Sequence, residues 1–176
     1  MTTRALVIGN QIKWIPAGAT LEATTIASNS VAPTESDTAW ISLPCVDTAT
    51  IDISSDIKEI YCPMPGGKVM TDQIRTKVKR VWKVKFQEVQ TLLMQHAFGM
   101  ATPDGSSVSY APNRDGNRRG WVQIKQYDEA NNLWQTHTFW TLFNVTGSVN
   151  FDDNHVQVSA EFTELYSTLN TTTEPD

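Results

Sequence analysis

The sequence predicts a mainly β chain, an antiparallel β-sandwich or small barrel with one flanking α-helix. Three observations lead there. Short stretches alternate apolar and polar residues at period two, with clusters of Gly, Pro, Asn and Asp between them. One stretch, QEVQTLLMQHAFG, changes to helical spacing. Six Trp in 176 residues supply core mass to a chain with few Leu. That length fits one domain that buries its own core without metal or disulfide staples. The domain is expected over residues 1–166, followed at 167–176 by a flexible tail whose last residues, TTTEPD, have nothing to bury.

The elements follow in order. ALVIGNQIKWIPAG reads as a hairpin turning at Gly9-Asn10 and stopping at Pro16. Residues 24–38 are mostly Ala, Ser, Thr and Asn with no large aromatic, which predicts a mobile arm unable to anchor itself in a core. Trp40-Ile-Ser-Leu restarts the apolar pattern, Ile51 and Ile53 alternate with Asp52 and Ser54, and PMPGG at 63–67 turns the chain. After Phe86, Val89, Leu92, Leu93 and Ala97 fall at helical spacing and Gly99 stands at the C-terminal cap. The stretch 100–120, rich in Pro, Asp-Gly and Arg, is expected as a long mobile loop. Trp121 to Tyr127, a turn at 128–132 and Trp134 to Gly147 make a hairpin, whose alternation puts Trp134, Trp140 and Leu142 together in an interior. After Asp152-Asp-Asn154, the series Val156, Val158, Ala160, Phe162 makes a last strand.

TKVKRVWKVKF, residues 76–86, carries the densest charge. Arg75, Lys77, Lys79, Arg80, Lys83 and Lys85 are six of the fourteen basic residues of the chain. At period two, Ile74, Val78, Trp82, Val84 and Phe86 take one side, and Arg75, Lys77, Lys79, Lys83 and Lys85 the other, with Val81 and Arg80 as exceptions. A face of one sign points to a partner, either nucleic acid or an acidic protein surface. The net charge of -5 and the separation of Trp82 and Phe86 from the basic side favour protein. Acidic surface within the same chain is offered by Asp47, Asp52, Asp56 and Glu59, or by Asp152, Asp153, Glu161 and Glu164.

The chemistry of an enzyme is missing from the pattern. His96 lies on the helix, on one face with Leu92, Leu93 and Gly99, and reads as a residue at the edge of the core rather than a base, and His137 in QTHTFW has no carboxylate at neighbouring same-face positions. Asp152-Asp-Asn-His155 reads as hairpin-turn chemistry and MPGGKV as a turn lacking the length of a phosphate loop. No catalytic, cofactor or metal site is expected. Cys45 and Cys62 have no CxxC spacing and read as small core thiols, and the short run Ala5 to Ile8 fits a soluble cytosolic product without a membrane span.

The order of parts carries a resemblance. ALVIGNQIKWIPAG, the small-residue arm, the Trp40-Ile-Ser-Leu-Pro entry into TATIDISSDIKEI, KVKFQEVQTLLMQHAFG and the closing GSVNFDDNHVQVSAEFTEL together resemble the major tail (tail tube) proteins of long-tailed bacteriophages, over about residues 5–166. The resemblance implies a β-sandwich with one flanking helix that assembles into hexameric rings stacked as a hollow tube. It implies a structural virion protein, made in the host bacterial cytoplasm and located in the tail. Its partners would be further copies of itself and other tail proteins, and DNA would pass through the lumen without specific binding. Inter-subunit contacts are then expected at Arg75, Lys77, Lys79, Lys83 and Lys85 against Asp152, Asp153 and Glu161, since complementary charge fixes register in a head-to-tail ring. Another tail or baseplate component of the same fold, and a monomeric β-sandwich binding module, are the alternatives.

Overall fold

The computed structural model describes residues 7–22, 25–65, 67–88, 93, 118–146 and 157–173. Eight strands are described: β1 (Val7–Pro16), β2 (Ile41–Ser42), β3 (Val46–Met64), β4 (Gly67–Phe86), β5 (Arg118–Asp128), β6 (Leu133–Thr146), β7 (Val158–Glu164) and β8 (Thr171–Thr173). They form one antiparallel sheet in the order β2-β1-β5-β6-β7-β4-β3, with β8 on β6. Among the described residues hydrogen bonds join all eight strands into this single sheet and do not close it into a barrel. Its terminal strands β2 and β3 are nonetheless joined by residues 43–45 alone. Three residues span little more than about 10 Å, so the sheet rolls until its two ends lie side by side.

The roll gives the sheet an inner and an outer face. On the inner face Trp14 meets Phe143 edge-on at 5.1 Å between ring centroids, and Phe143 stacks on Phe162 at 4.7 Å. Ile12, Val122, Ile124, Phe139, Trp82, Val84 and Phe86 complete this core. Gly120 lets β1 and β5 close over it, because a Cβ there would lie 2.2 Å from the Ile15 carbonyl oxygen and 2.6 Å from the Trp14 ring.

The outer face is covered at its centre by residues 19–40. Leu21 and Ala27 are buried with Ile15, Trp121 and Trp140. The Asp37 carboxylate ties the cover down by accepting from the Glu22 and Thr34 amides and the Thr34 hydroxyl, and the Trp121 indole N–H donates to the Ser28 carbonyl at 2.8 Å. These hydrogen bonds hold the Asp37 carboxyl below its ordinary value, the Glu22 amide contributing most. The segment 24–38, expected as an unanchored arm, is therefore anchored at Ala27, Pro33 and Asp37, which are buried, while Ile26 stays 60 % exposed. Small residues suffice because they approach the two Trp rings closely.

Other expectations are corrected as well. Gly9-Asn10 is not a hairpin turn: β1 is one strand along β5, with a register irregularity between Val7 and Gly9. The flanking helix is not supported: Gln87 and Glu88 form a bend, Leu93 is helical and fully buried, and the rest of 89–100 lies outside the described residues. Trp134 is 40 % exposed while Trp140 is buried, so they do not share an interior. Cys45 and Cys62 are free and exposed, because each lies outside the rolled core. Thr171–Thr173, expected within a fraying tail, pair with Thr136–Thr138 of β6. The loop 100–120 lies outside the described residues except at 118–120.

Candidate assembly surface

β3 and β4 are 19 and 20 residues long, much longer than the body they leave. Residues 81–86 of β4 are bonded on both edges, to β3 and to β7, from Val81↔Thr163 to Phe86↔Val158. Beyond Val81 the pairing is to β3 alone among the described residues, from Ile53↔Arg80 to Met64↔Gly67. At about 3.3 Å per residue this two-stranded arm is about 40 Å long. A lone hairpin in water is marginally stable at best.

Cross-strand partners share a face, so the register assigns the side chains. The inner-face series Phe86, Val84, Trp82 runs on into the arm as Arg80 and Val78, opposite Ile53 and Ser55. Burial stops at Trp82. Ile51, Ile53, Ile57 and Val78 are between 42 and 63 % exposed, and Tyr61, Met70 and Ile74 about half exposed. The half-buried strand expected across 74–86 thus holds only for its last six residues, because among the described residues no layer covers the arm.

The basic residues divide in a way that alternation does not reveal. Register shifts at Asp56/Ile57 and Ile60/Tyr61 leave Thr76 and Thr71 unopposed in β4. The first reverses the phase: Arg75 lies opposite Ile57, on the apolar side, and Ile74 opposite Lys58. Lys77, Lys79, Lys83 and Lys85 do share the outer face, but two of them have carboxylates on their own hairpin. Lys83 Nζ is 2.6 Å from Asp52, and Lys77 Nζ 3.9 Å from Asp56. The hydrogen bond from Lys83 to Asp52, and next the charge of that carboxylate, raise the Lys83 pKa, with Glu161 across the β4–β7 register adding to it. Among the described residues Lys79 and Lys85 have no carboxylate within ion-pair distance. Asp152 and Asp153 lie outside the described residues.

Where the arm leaves the body, β7 also turns away. Leu165 donates to the Trp140 carbonyl at 2.8 Å, and the chain returns to β6 as β8. Arg80 crosses the resulting notch to Glu164 at 3.3 Å. His137 lies beside it, its ring 5.0 Å from Trp82 and its Nδ1 3.1 Å from the Thr172 hydroxyl. Burial lowers the His137 pKa, partly offset by the Glu164 charge. The Arg80–Glu164 pair escaped the sequence reading because Arg80 looked like an exception to the strand pattern. Its single basic residue on the apolar side was the available signal. Among the described residues no group of three or more His, Cys, Asp or Glu could hold a metal ion, and no helix is long and apolar enough to cross a membrane.

No family model and no curated protein matches the sequence. Among solved structures, a chain of the cryo-EM structure of the anti-feeding prophage baseplate, six-fold symmetrised, is similar with a TM-score of 0.54 and 10 % identity. The match covers 99 % of this chain and 98 % of that one. At that identity the likeness is one of fold.

Proposed function

We propose that this chain is a structural, non-enzymatic subunit of a phage-tail-like particle, located in the tail or baseplate, and that it assembles with other copies of itself through the β3–β4 arm. The observation that carries the reading is the arm: an exposed two-stranded ribbon whose Ile and Val side chains are left uncovered. The shared fold with a chain of a prophage baseplate supports it. Charge supplies a direction for docking. Residues 46–86 hold eight basic and five acidic residues, a net +3, while the rest of the chain holds six and fourteen, a net -8. An arm of one sign and a body of the other favour head-to-tail contact, which closes into a ring when the rotation permits.

The finer reading is a hexameric ring stacked into a tube that passes DNA without specific binding. The baseplate neighbour favours a second one, in which a single ring serves as a baseplate component. Electron microscopy of the concentrated protein tests both. Stacked annuli support the tube, isolated six-membered rings support the baseplate, and persistent monomers at all concentrations and with other tail proteins present count against either and for a monomeric binding module.

A further inference from the structure

We propose that the Arg80–Glu164 ion pair is a latch that fixes the inclination of the arm. The inference stands whether or not the chain assembles. β4 belongs to two structures at once: residues 81–86 are clamped between β3 and β7, whereas 67–80 pair with β3 alone among the described residues. The change falls at Arg80, so this is where the arm is free to bend against the body.

At that point one polar side-chain contact joins the two sides among the described residues. Arg80 Nη1 donates to Glu164 Oε1 and Oε2 at 3.3 and 3.4 Å. Among the described residues no other hydrogen bond or ion pair links 53–80 to 164–173. Open space flanks the bridge on both sides. A pocket of about 320 Å³ reaches from it toward Trp82 and His137, and another of about 350 Å³ toward Val78 and Tyr166, and Arg80, Glu164 and Asn170 line both. Packing therefore does not hold the arm there.

The body holds its end of the bridge firmly. Asn170 Nδ2 donates to Glu164 Oε1 at 3.3 Å and to the Leu165 carbonyl at 2.9 Å, while its Oδ1 accepts the Trp140 amide at 2.9 Å. Glu164 is thus fixed to β6 through Asn170, and Arg80 is the moving partner. The Arg80 side chain is 51 % exposed. With its arginine end that open to solvent the pair is weak, which suits a contact meant to release.

The test is a distance distribution. In a Cys45→Ser chain carrying Glu129→Cys, spin labels on Cys62 of the arm and on position 129 of the body report the inclination by pulsed electron resonance. A narrow distribution is expected, widening at least twofold in Arg80→Gln and in Glu164→Gln, and narrowing again when Arg80→Glu and Glu164→Arg are combined. An unchanged width in the single substitutions overturns the latch. So does widening that the exchanged pair fails to reverse, since loss of side-chain packing would then be the cause. Should a substituted chain fail to fold, salt at about 1 M on the labelled parent makes the same test, because it screens the pair: widening supports the latch and constancy overturns it.

Discussion

Two long hairpins of this molecule are written in the same alphabet and meet opposite fates. In the central part of β5–β6, away from the exposed Trp134, alternating apolar and aromatic residues are covered on both faces, with Val122 and Ile124 at 0 % exposure and Trp121 buried beneath the 19–40 segment. Its edges are also taken, by β1 on one side and by β7 and β8 on the other. In β3–β4 beyond Val81, Ile53 is 63 % and Ile57 56 % exposed, and among the described residues no further strand pairs with either edge. Alternation records that a side chain is to be covered. It does not record which chain supplies the cover. A buried Ile is worth about 1.5–3 kcal/mol over an exposed one, so the uncovered arm holds free energy that a partner would release on docking.

Substitutions separate the two hairpins. The largest effect is expected in the covered one: Phe143→Ala, which removes a ring edge-on to Trp14 and stacked on Phe162, should destabilise the subunit by about 4 kcal/mol in denaturant unfolding. Asp37→Ala, which frees one end of the outer cover, should cost about 2 kcal/mol near neutral pH. Because the Asp37 carboxyl is depressed when folded, its contribution is present above its ordinary value of 3.8 and is lost as pH falls through the lower folded value. The difference between parent and Asp37→Ala should therefore shrink in acid. His137 runs in the same direction: its folded pKa lies below 6.5, so the unfolded chain binds the proton first and stability declines as pH falls from 6.5 through the folded value. His137→Gln should flatten that part of the pH profile. The smallest effect on the isolated subunit belongs to the arm. Ile53→Ser with Ile57→Ser should change unfolding by less than about 0.5 kcal/mol while weakening self-association, measured by sedimentation.

Much of the sheet was legible. Period two placed the strands, the Asp128 to Asn132 turn was recognised from its Asp and Asn, and PMPGG was read as a turn, though as one separating the basic strand from the preceding strands, whereas β3 and β4 pair up to Met64 and Gly67. What was hidden has physical causes. Counting back from PMPGG without bulges sets Asp52 opposite Lys79 and Asp56 opposite Arg75. Two unopposed threonines in β4 move the partners to Val81 and Lys77, and a threonine in a polar ribbon gives no sign that it will bulge. The ion pairs of Lys77 and Lys83 were hidden for that reason. The outer cover was missed because Ala27 and Asp37 act by closeness and hydrogen bonding, not by apolar mass. The basic strand was seen at once, but its uncovered apolar side was assumed buried, since the sequence pattern is the same in either case.

Amide hydrogen exchange compared between dilute subunit and assembled particle tests the central claim most directly. Residues 53–80 are expected to exchange rapidly in the subunit and to gain protection on assembly, while 118–146 stay protected in both states. Equal protection of 53–80 in a confirmed monomer, or an assembled particle in which those amides exchange as fast as before, would contradict the claim that this arm takes its cover from a neighbouring copy.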